Sequence, residues 1–225
     1  MAKETIIVSL GGSVMVPDKI NMEFVKKFRD LVLNYLSQKK FVICVGGGKI
    51  AREYSRALSE FEADNNEKDW AGINVTWLNA QVIKSSFGKE AYPQVIKEPN
   101  KKIKTNKDII IAGGWKPGWS TDYDAVLLAK NFKSKTIINL TNIDCVCDKN
   151  PMEFPDAKAF KDISWQDFRK IVGGKWTPGL SMPFDPEASK LAEKLKFKVI
   201  LMNGNKLENF DNFLNNKPFT GTTIC

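Results

Sequence analysis

IIAGGWKPGWSTDYDAVLLA, residues 110–129, is an apolar run that stops at two glycines. A loop with Pro117 and Gly118 follows, then Ser120, Thr121 and Asp122, then an apolar helical pattern. A strand that passes into a helix through a short polar crossing is the joint of a parallel α/β sheet. The joint recurs. TIIVSL (5–10) ends at Gly11-Gly12, and FVICV (41–45) ends at Gly46-Gly47-Gly48. DIIIA (108–112) ends at Gly113-Gly114, and KTIINL (135–140) ends at Thr141-Asn142.

Helical periodicity fills the gaps at 22–36, 50–61, 70–87, 121–132, 164–172 and 185–195. Strand patterns return at 198–202 and 221–224. Thr121-x-x-Asp124 reads as a capping box, and Asp185-Pro186 as a cap followed by a first-turn proline. The pattern predicts a mostly parallel sheet covered on both faces. In such sheets ligands sit beyond the carboxyl ends of the strands, so all four polar strand ends should share one edge.

Glycines at those ends permit tight turns and close approach to backbone N–H groups, and each following helix offers its free N–H groups. Three such junctions on one edge point to phosphate binding. No G-x-x-x-x-G-K-[ST] is present, so this is not a P-loop protein. Gly46-x-Gly48-x-x-Ala51, with Asp69 downstream, approaches a dinucleotide fingerprint. It follows the second strand, however, and a nicotinamide site leaves Gly11-Gly12, Gly113-Gly114 and Ser120-Thr121-Asp122 without a role.

Composition narrows the chemistry. The 225 residues carry a net charge of +8 and no histidine. A Ser-His-Asp triad, a Cys-His pair and a His-ligated metal are all excluded. Catalysis is left to carboxylates, Lys, Arg, backbone N–H groups or an oxygen-held metal. The four cysteines lack a zinc spacing and read as free, buried thiols in a reducing compartment. The positive charge suits an anionic partner. The basic stretch 97–107 lacks the interleaved aromatics of a single-strand binder and reads as a solvated loop. No apolar run approaches the ~20 residues of a membrane span, and the first residues are too short an apolar stretch for a signal peptide. A cytoplasmic protein that binds neither nucleic acid nor membrane is expected.

The blocks GGSVMVP (11–17), VGGGKIAREY (45–54), GINVTWLNA (72–80), GGWKPGWSTDYDAVLLA (113–129), LTNIDCVCDKNP (140–151), FDPEASK (184–190) and GTTI (221–224) resemble the amino acid kinase superfamily. They are most similar to its archaeal-type uridylate kinase branch. The resemblance implies a three-layer αβα sandwich with a mostly parallel sheet, formed by one domain over 1–225. The acceptor-nucleotide side would lie mainly in 1–135 and the ATP side in 136–225. It also implies ATP with Mg²⁺, phosphoryl transfer to UMP, and a homohexamer built as a trimer of dimers.

Residue by residue, Gly12 and Ser13 resemble the loop that holds the transferring phosphoryl. Asp122 resembles the acid that organises the centre. Gly47 and Asp69 resemble UMP contacts, Asp69 at the ribose. Trp115, Lys116, Pro117, Gly118, Trp119, Ser120 and Thr121 resemble the loop that wraps the uridylate. Gly12, Ser13, Gly48, Arg52, Thr141, Asn142, Cys147 and Asn150 resemble ATP contacts.

The chain departs from the family pattern in five places. Ser9 and Pro186 stand where many members have Lys; Cys145, Cys147 and Asn150 stand where Gly, Tyr and Asp are common. Mg²⁺, Arg52 and Lys49 are left to neutralise the transferring charge. Loss of the Tyr and the Asp predicts weaker ATP binding or a changed donor. The alternative reading is a non-catalytic nucleotide sensor on the same fold, or another small-molecule kinase of the superfamily.

Overall fold

A computed structural model describes residues 3–173 and 182–225. In chain order the elements are β1 (Glu4–Leu10), α1 (Gly12–Met15), α2 (Met22–Asn34), β2 (Lys39–Val45), α3 (Gly48–Glu60) and α4 (Asn65–Phe87). Next come β3 (Ile109–Ala112), α5 (Thr121–Asn131) and β4 (Thr136–Thr141). Three two-residue strands follow: β5 (Val146–Cys147), β6 (Ala159–Phe160) and β7 (Asp162–Ile163). The chain closes with α6 (Trp165–Val172), α7 (Pro186–Lys194), β8 (Lys198–Asn203), α8 (Leu207–Leu214) and β9 (Thr222–Ile224).

Among the described residues the main sheet has the order β3-β2-β1-β4-β8-β9-β7, parallel except where β9 runs against β8. The strands are apolar on both sides, and alternate residues feed two separate cores. Ile6, Val8 and Leu10 of β1 point with Phe41 and Ile43 of β2 into one core, under α2, α4 and α8. Ile7 points with Val42 and Cys44 into the other, under α5, α6 and α7. The sandwich has three layers, as expected, and β4 is its middle strand, with β1 beside it. No helix among the described residues is long and apolar enough to cross a membrane.

Local signals set the helix starts. α4 begins five residues before the expected position because Asp64 and Glu67 form a reciprocal capping box. Asp185 caps α7 ahead of Pro186, as read from the sequence. α5 differs. Its cap is Ser120, whose Oγ accepts from the Tyr123 N–H at 3.2 Å, so Thr121 and Asp124 do not make the expected capping box. Asp124 is fully buried instead. The thiols are free, but they are not uniformly buried: Cys44 is enclosed, Cys145 and Cys147 are half-buried and Cys225 is exposed.

Candidate functional site

The carboxyl ends of β1, β2, β3 and β4 do share one edge, and there the glycines interlock. A Cβ on Gly12 would stand 2.0 Å from the Gly48 nitrogen and 2.7 Å from the Gly47 carbonyl carbon. One on Gly46 would meet the Gly12 nitrogen at 2.7 Å, and one on Gly11 the Leu140 oxygen at 2.7 Å. Gly48 also sits at φ +69, which favours glycine. The backbones therefore touch directly. Much of the glycine signal serves the approach of loop to loop. Gly113 and Gly114 likewise lie against Thr76 and Trp77 of α4.

Polar side chains missed in the sequence pin this edge. Asn79, buried on the inner face of α4, donates to the Gly46 and Gly47 carbonyls at 2.9 and 3.1 Å. Thr76 Oγ1 accepts from the Gly114 N–H at 2.7 Å, and Trp77 Nε1 donates to the Gly114 carbonyl at 2.7 Å. The available signal was polar residues three apart on an otherwise apolar stripe with Ile73, Ala80 and Ile83.

Two cavities flank the glycine joint. The first, of about 200 Å³, is lined by Gly47, Gly48 and Arg52 of the second joint and by Lys68, Asp69 and Thr76 of α4. Gly114, Trp119, Ser120 and Thr121 close its other side. Trp115, Lys116, Pro117 and Gly118 form the outer part of the same loop. Lys116 Nζ lies 4.2 Å from the Trp115 ring centroid, and Trp119 packs on Tyr123 at 4.1 Å. Asp69 accepts from the Gly118 N–H at 2.7 Å, so it holds the loop down. Its half-burial raises its pKa, against the pull of that N–H.

The second cavity, of about 730 Å³, is lined by Thr141, Asn142, Cys145, Cys147, Asn150 and Lys170, among others. Here Asn150 is occupied by its own turn: it accepts from the Met152 N–H and donates to Glu153. Gly48 and Arg52, likened above to ATP contacts, line the first cavity and not this one. Lys49 pairs with Asp18 at the surface.

Between the cavities lies the Gly11–Ser13 turn. Gly12 abuts Gly48 of the first cavity, and Gly11 abuts Leu140 and Thr141 at the second. Beneath it stands Asp122. One carboxylate oxygen accepts from Ser9 Oγ at 2.8 Å and the other from the Asp185 N–H at 3.2 Å. The residue is half-buried, but its carboxyl is enclosed. Burial, then the neighbouring Asp185 carboxyl, push its pKa to about 7, against the two donors. Ser9 thus supplies a neutral hydroxyl to this acid. Asp185 is itself raised by burial and accepts from the Glu187 and Ala188 N–H groups.

Asp124 completes the cluster. One of its oxygens accepts from the Trp115 N–H at 3.0 Å; the other has no hydrogen-bond partner among the described residues. Burial above all raises its pKa to about 8, with Asp122 and Asp185 adding to the effect. The uncharged form is the cheaper state for an enclosed carboxyl that faces no cation among the described residues.

Among the described residues no three Asp, Glu or Cys side chains are grouped to hold a metal ion by themselves. Magnesium in phosphoryl-transfer sites is held by one or two carboxylates and the substrate phosphates. Asp122 fits that need: each oxygen accepts one bond and has capacity for a second.

The model of the amino acid kinase family matches residues 4–203. The chain is 34% identical over 201 residues to a uridylate kinase of Pyrococcus abyssi, covering 88% of this chain and 89% of that one. A uridylate kinase of Methanospirillum hungatei is 31% identical, covering 98% and 94%. The crystal structure of a uridylate kinase from Archaeoglobus fulgidus superposes with a TM-score of 0.83 at 29% identity, over 99% of this chain and all of that one.

Proposed function

The chain belongs to the amino acid kinase family, and on that premise we propose that it is a uridylate kinase, which transfers the γ-phosphoryl of ATP to UMP. The observation that carries the reading is the Gly11–Ser13 turn, in contact with the walls of two cavities beyond the sheet. Two phosphorylated substrates must meet in line for this reaction. UMP would occupy the smaller cavity and ATP the larger.

In the step, an oxygen of the UMP phosphate forms a bond to the γ-phosphorus, and the bond from that phosphorus to the β–γ bridging oxygen breaks. UDP and ADP leave. The chain has mainly to position the groups and neutralise charge. Backbone N–H groups at Gly12 and Ser13 would face the transferring phosphoryl, and Gly47 the acceptor phosphate. Arg52, on the acceptor cavity, would pair with phosphate oxygens as a planar fork. Asp69 and the 115–121 loop would hold ribose and base. Thr141, Asn142, Cys147 and Asn150 would meet the donor nucleoside. Mg²⁺ bound to the ATP phosphates would supply further neutralisation, and Asp122 is the carboxyl that would help to hold it. The low charge that the cluster keeps near neutrality limits repulsion of the incoming phosphates.

The same reading gives a soluble cytoplasmic enzyme of pyrimidine nucleotide synthesis and a hexamer built from dimers. Tyr54 on α3 and Phe61 just past its end, with Trp70 and Leu78 on α4, are exposed and would be covered in such an assembly. Sedimentation of the purified chain measures the assembly.

ADP release with ATP, Mg²⁺ and a panel of UMP, CMP, dUMP, isopentenyl phosphate, acetylglutamate and aspartate tests the activity. Saturable turnover with UMP is the expected result. Turnover with another acceptor overturns the substrate. Absence of turnover, with UMP still raising the melting temperature, makes the chain a nucleotide-binding protein.

A further inference from the structure

The smaller cavity is bounded by a loop whose first amides are each held by a different neighbour. The Gly113 N–H donates to the Ile96 carbonyl at 3.0 Å, Gly114 to Thr76 Oγ1 at 2.7 Å and Trp115 to Asp124 at 3.0 Å. Beyond Trp115, the Gly118 N–H donates to Asp69, and Ser120 then caps α5. The Asp124 bond is therefore the last fixed point before the part of the loop that bends over the cavity.

Asp124 is an unusual residue for its place. It stands in the first turn of α5, against Ala125, Val126 and the β2 thiol Cys44, with no exposed surface. The charged or titratable groups facing it are Asp122 and Tyr123 on its own helix, Cys44 on β2 and Asp185 at the start of α7. None is a cation. An enclosed carboxyl with one idle oxygen weakens the fold unless its other oxygen does something a hydrocarbon cannot. Here that oxygen holds the Trp115 amide.

We infer that Asp124 is a positioning residue for the acceptor: through the Trp115 N–H it fixes where the 115–120 loop sits over the smaller cavity. This rests on the reading that the smaller cavity takes the acceptor nucleotide. Asp124 touches no reacting atom, since its side chain is enclosed behind the loop. Its effect is on acceptor binding and not on the chemical step.

Asp124→Ala removes the acceptor of the Trp115 bond; Asp124→Asn keeps a carbonyl oxygen in its place. In the Ala variant KM for UMP should rise about tenfold, the effect of one lost hydrogen bond. Its kcat and its KM for ATP should stay within about twofold. Asn should restore KM for UMP to within about twofold of the parent. Amide exchange at Trp115 gives a readout independent of turnover: faster in the Ala variant and parental in the Asn variant. An unchanged KM for UMP in the Ala variant overturns the inference, as does unchanged Trp115 exchange. A parallel fall in kcat and both affinities, tracking a lower melting temperature, reduces Asp124 to a structural residue. If the parent chain does not phosphorylate UMP, the proposed function falls, and Trp115 exchange still decides the loop's anchor.

Discussion

The two cavities are built in opposite ways. The smaller one is braced through backbone: glycine packs against glycine beside it, and the amides of Gly113, Gly114, Trp115 and Gly118 are held by Ile96, Thr76, Asp124 and Asp69. The larger one is walled by an excursion from the sheet. Its base is a two-residue antiparallel pair, β5 with β6, tied to β9 through Thr222. Where chains touch at main-chain distance, a residue cannot change without moving the fold. Where a wide cavity is lined by side-chain tips, residues can change in place. Cys145, Cys147 and Asn150, three of the five departures from the family pattern, lie on the wide side.

The strongest test of this contrast is Gly12→Ala. The new methyl would overlap Gly47 and Gly48 backbone with no flexible group to yield. Loss of several kcal/mol of stability is expected, on the scale of overpacking plus forced backbone movement. Activity should fall at least ~1000-fold through displacement of the phosphoryl-facing amides. Gly118→Ala is the control. Gly118 has φ +84 but nothing near its missing Cβ, so only the conformational cost of about 1–2 kcal/mol applies. Equal effects from the two would break the distinction. Melting curves and turnover read both.

Asp122→Asn is next in size. Asn offers one acceptor oxygen where Asp122 accepts from both Ser9 and Asp185. A fall of about 100-fold in kcat is expected, with the fold retained. The pH profile carries the sign. Asp122 is pushed up to about 7, so a step that needs its carboxylate weakens as pH falls through 7. Asp122→Asn should flatten that limb. Unchanged kcat removes Asp122 from the centre.

These residues also mark how far the sequence could be read. Gly11-Gly12, Gly46-Gly47-Gly48 and Gly113-Gly114 are punctuation that an α/β strand edge explains, so the sheet and the edge its glycine joints share were legible. Why the glycines are needed was only half legible, because loop-to-loop contact depends on strand order. Ser120 and Thr121 are both good caps, and nothing local chooses between them. The choice follows from Asp124, which tertiary packing draws inward to Trp115. Thr76 and Asn79 look like ordinary polar breaks in a long helix until the glycine loops are placed above them. The two-residue strands β5, β6 and β7 are too short for a periodic signal.

Burial of Asp124 also predicts a pH effect on stability. Its folded pKa, about 8, is raised above the ordinary value of 3.8. The native state therefore holds the proton more tightly than the unfolded chain. That contribution is complete below about pH 4 and is lost as pH rises toward 8. Asp124→Asn removes the titration. The variant should gain on the parent by roughly 4 kcal/mol between pH 5 and pH 9, about 1.4 kcal/mol for each pH unit up to 8. A constant difference across that range would mean that the carboxyl is not held neutral.

The smallest effect belongs to the wide cavity. Cys147 lines about 730 Å³ of space and is half-buried, so a larger ring can be accommodated without displacing backbone. The family pattern that the sequence resembles has Tyr at this position, and an aromatic ring there could stack on a donor base. Cys147→Tyr should lower KM for ATP by about three- to fivefold, since one aromatic contact is worth roughly 0.5–1.5 kcal/mol. KM for UMP should not move, because Cys147 belongs to the donor cavity and the acceptor wall is set by the glycine joint. If KM for UMP changes as much as KM for ATP, the cavities are mechanically joined and the division between a rigid and a permissive side fails. If only the donor responds, side-chain identity on the wide side tunes nucleotide affinity while the glycine joint fixes where the phosphates meet.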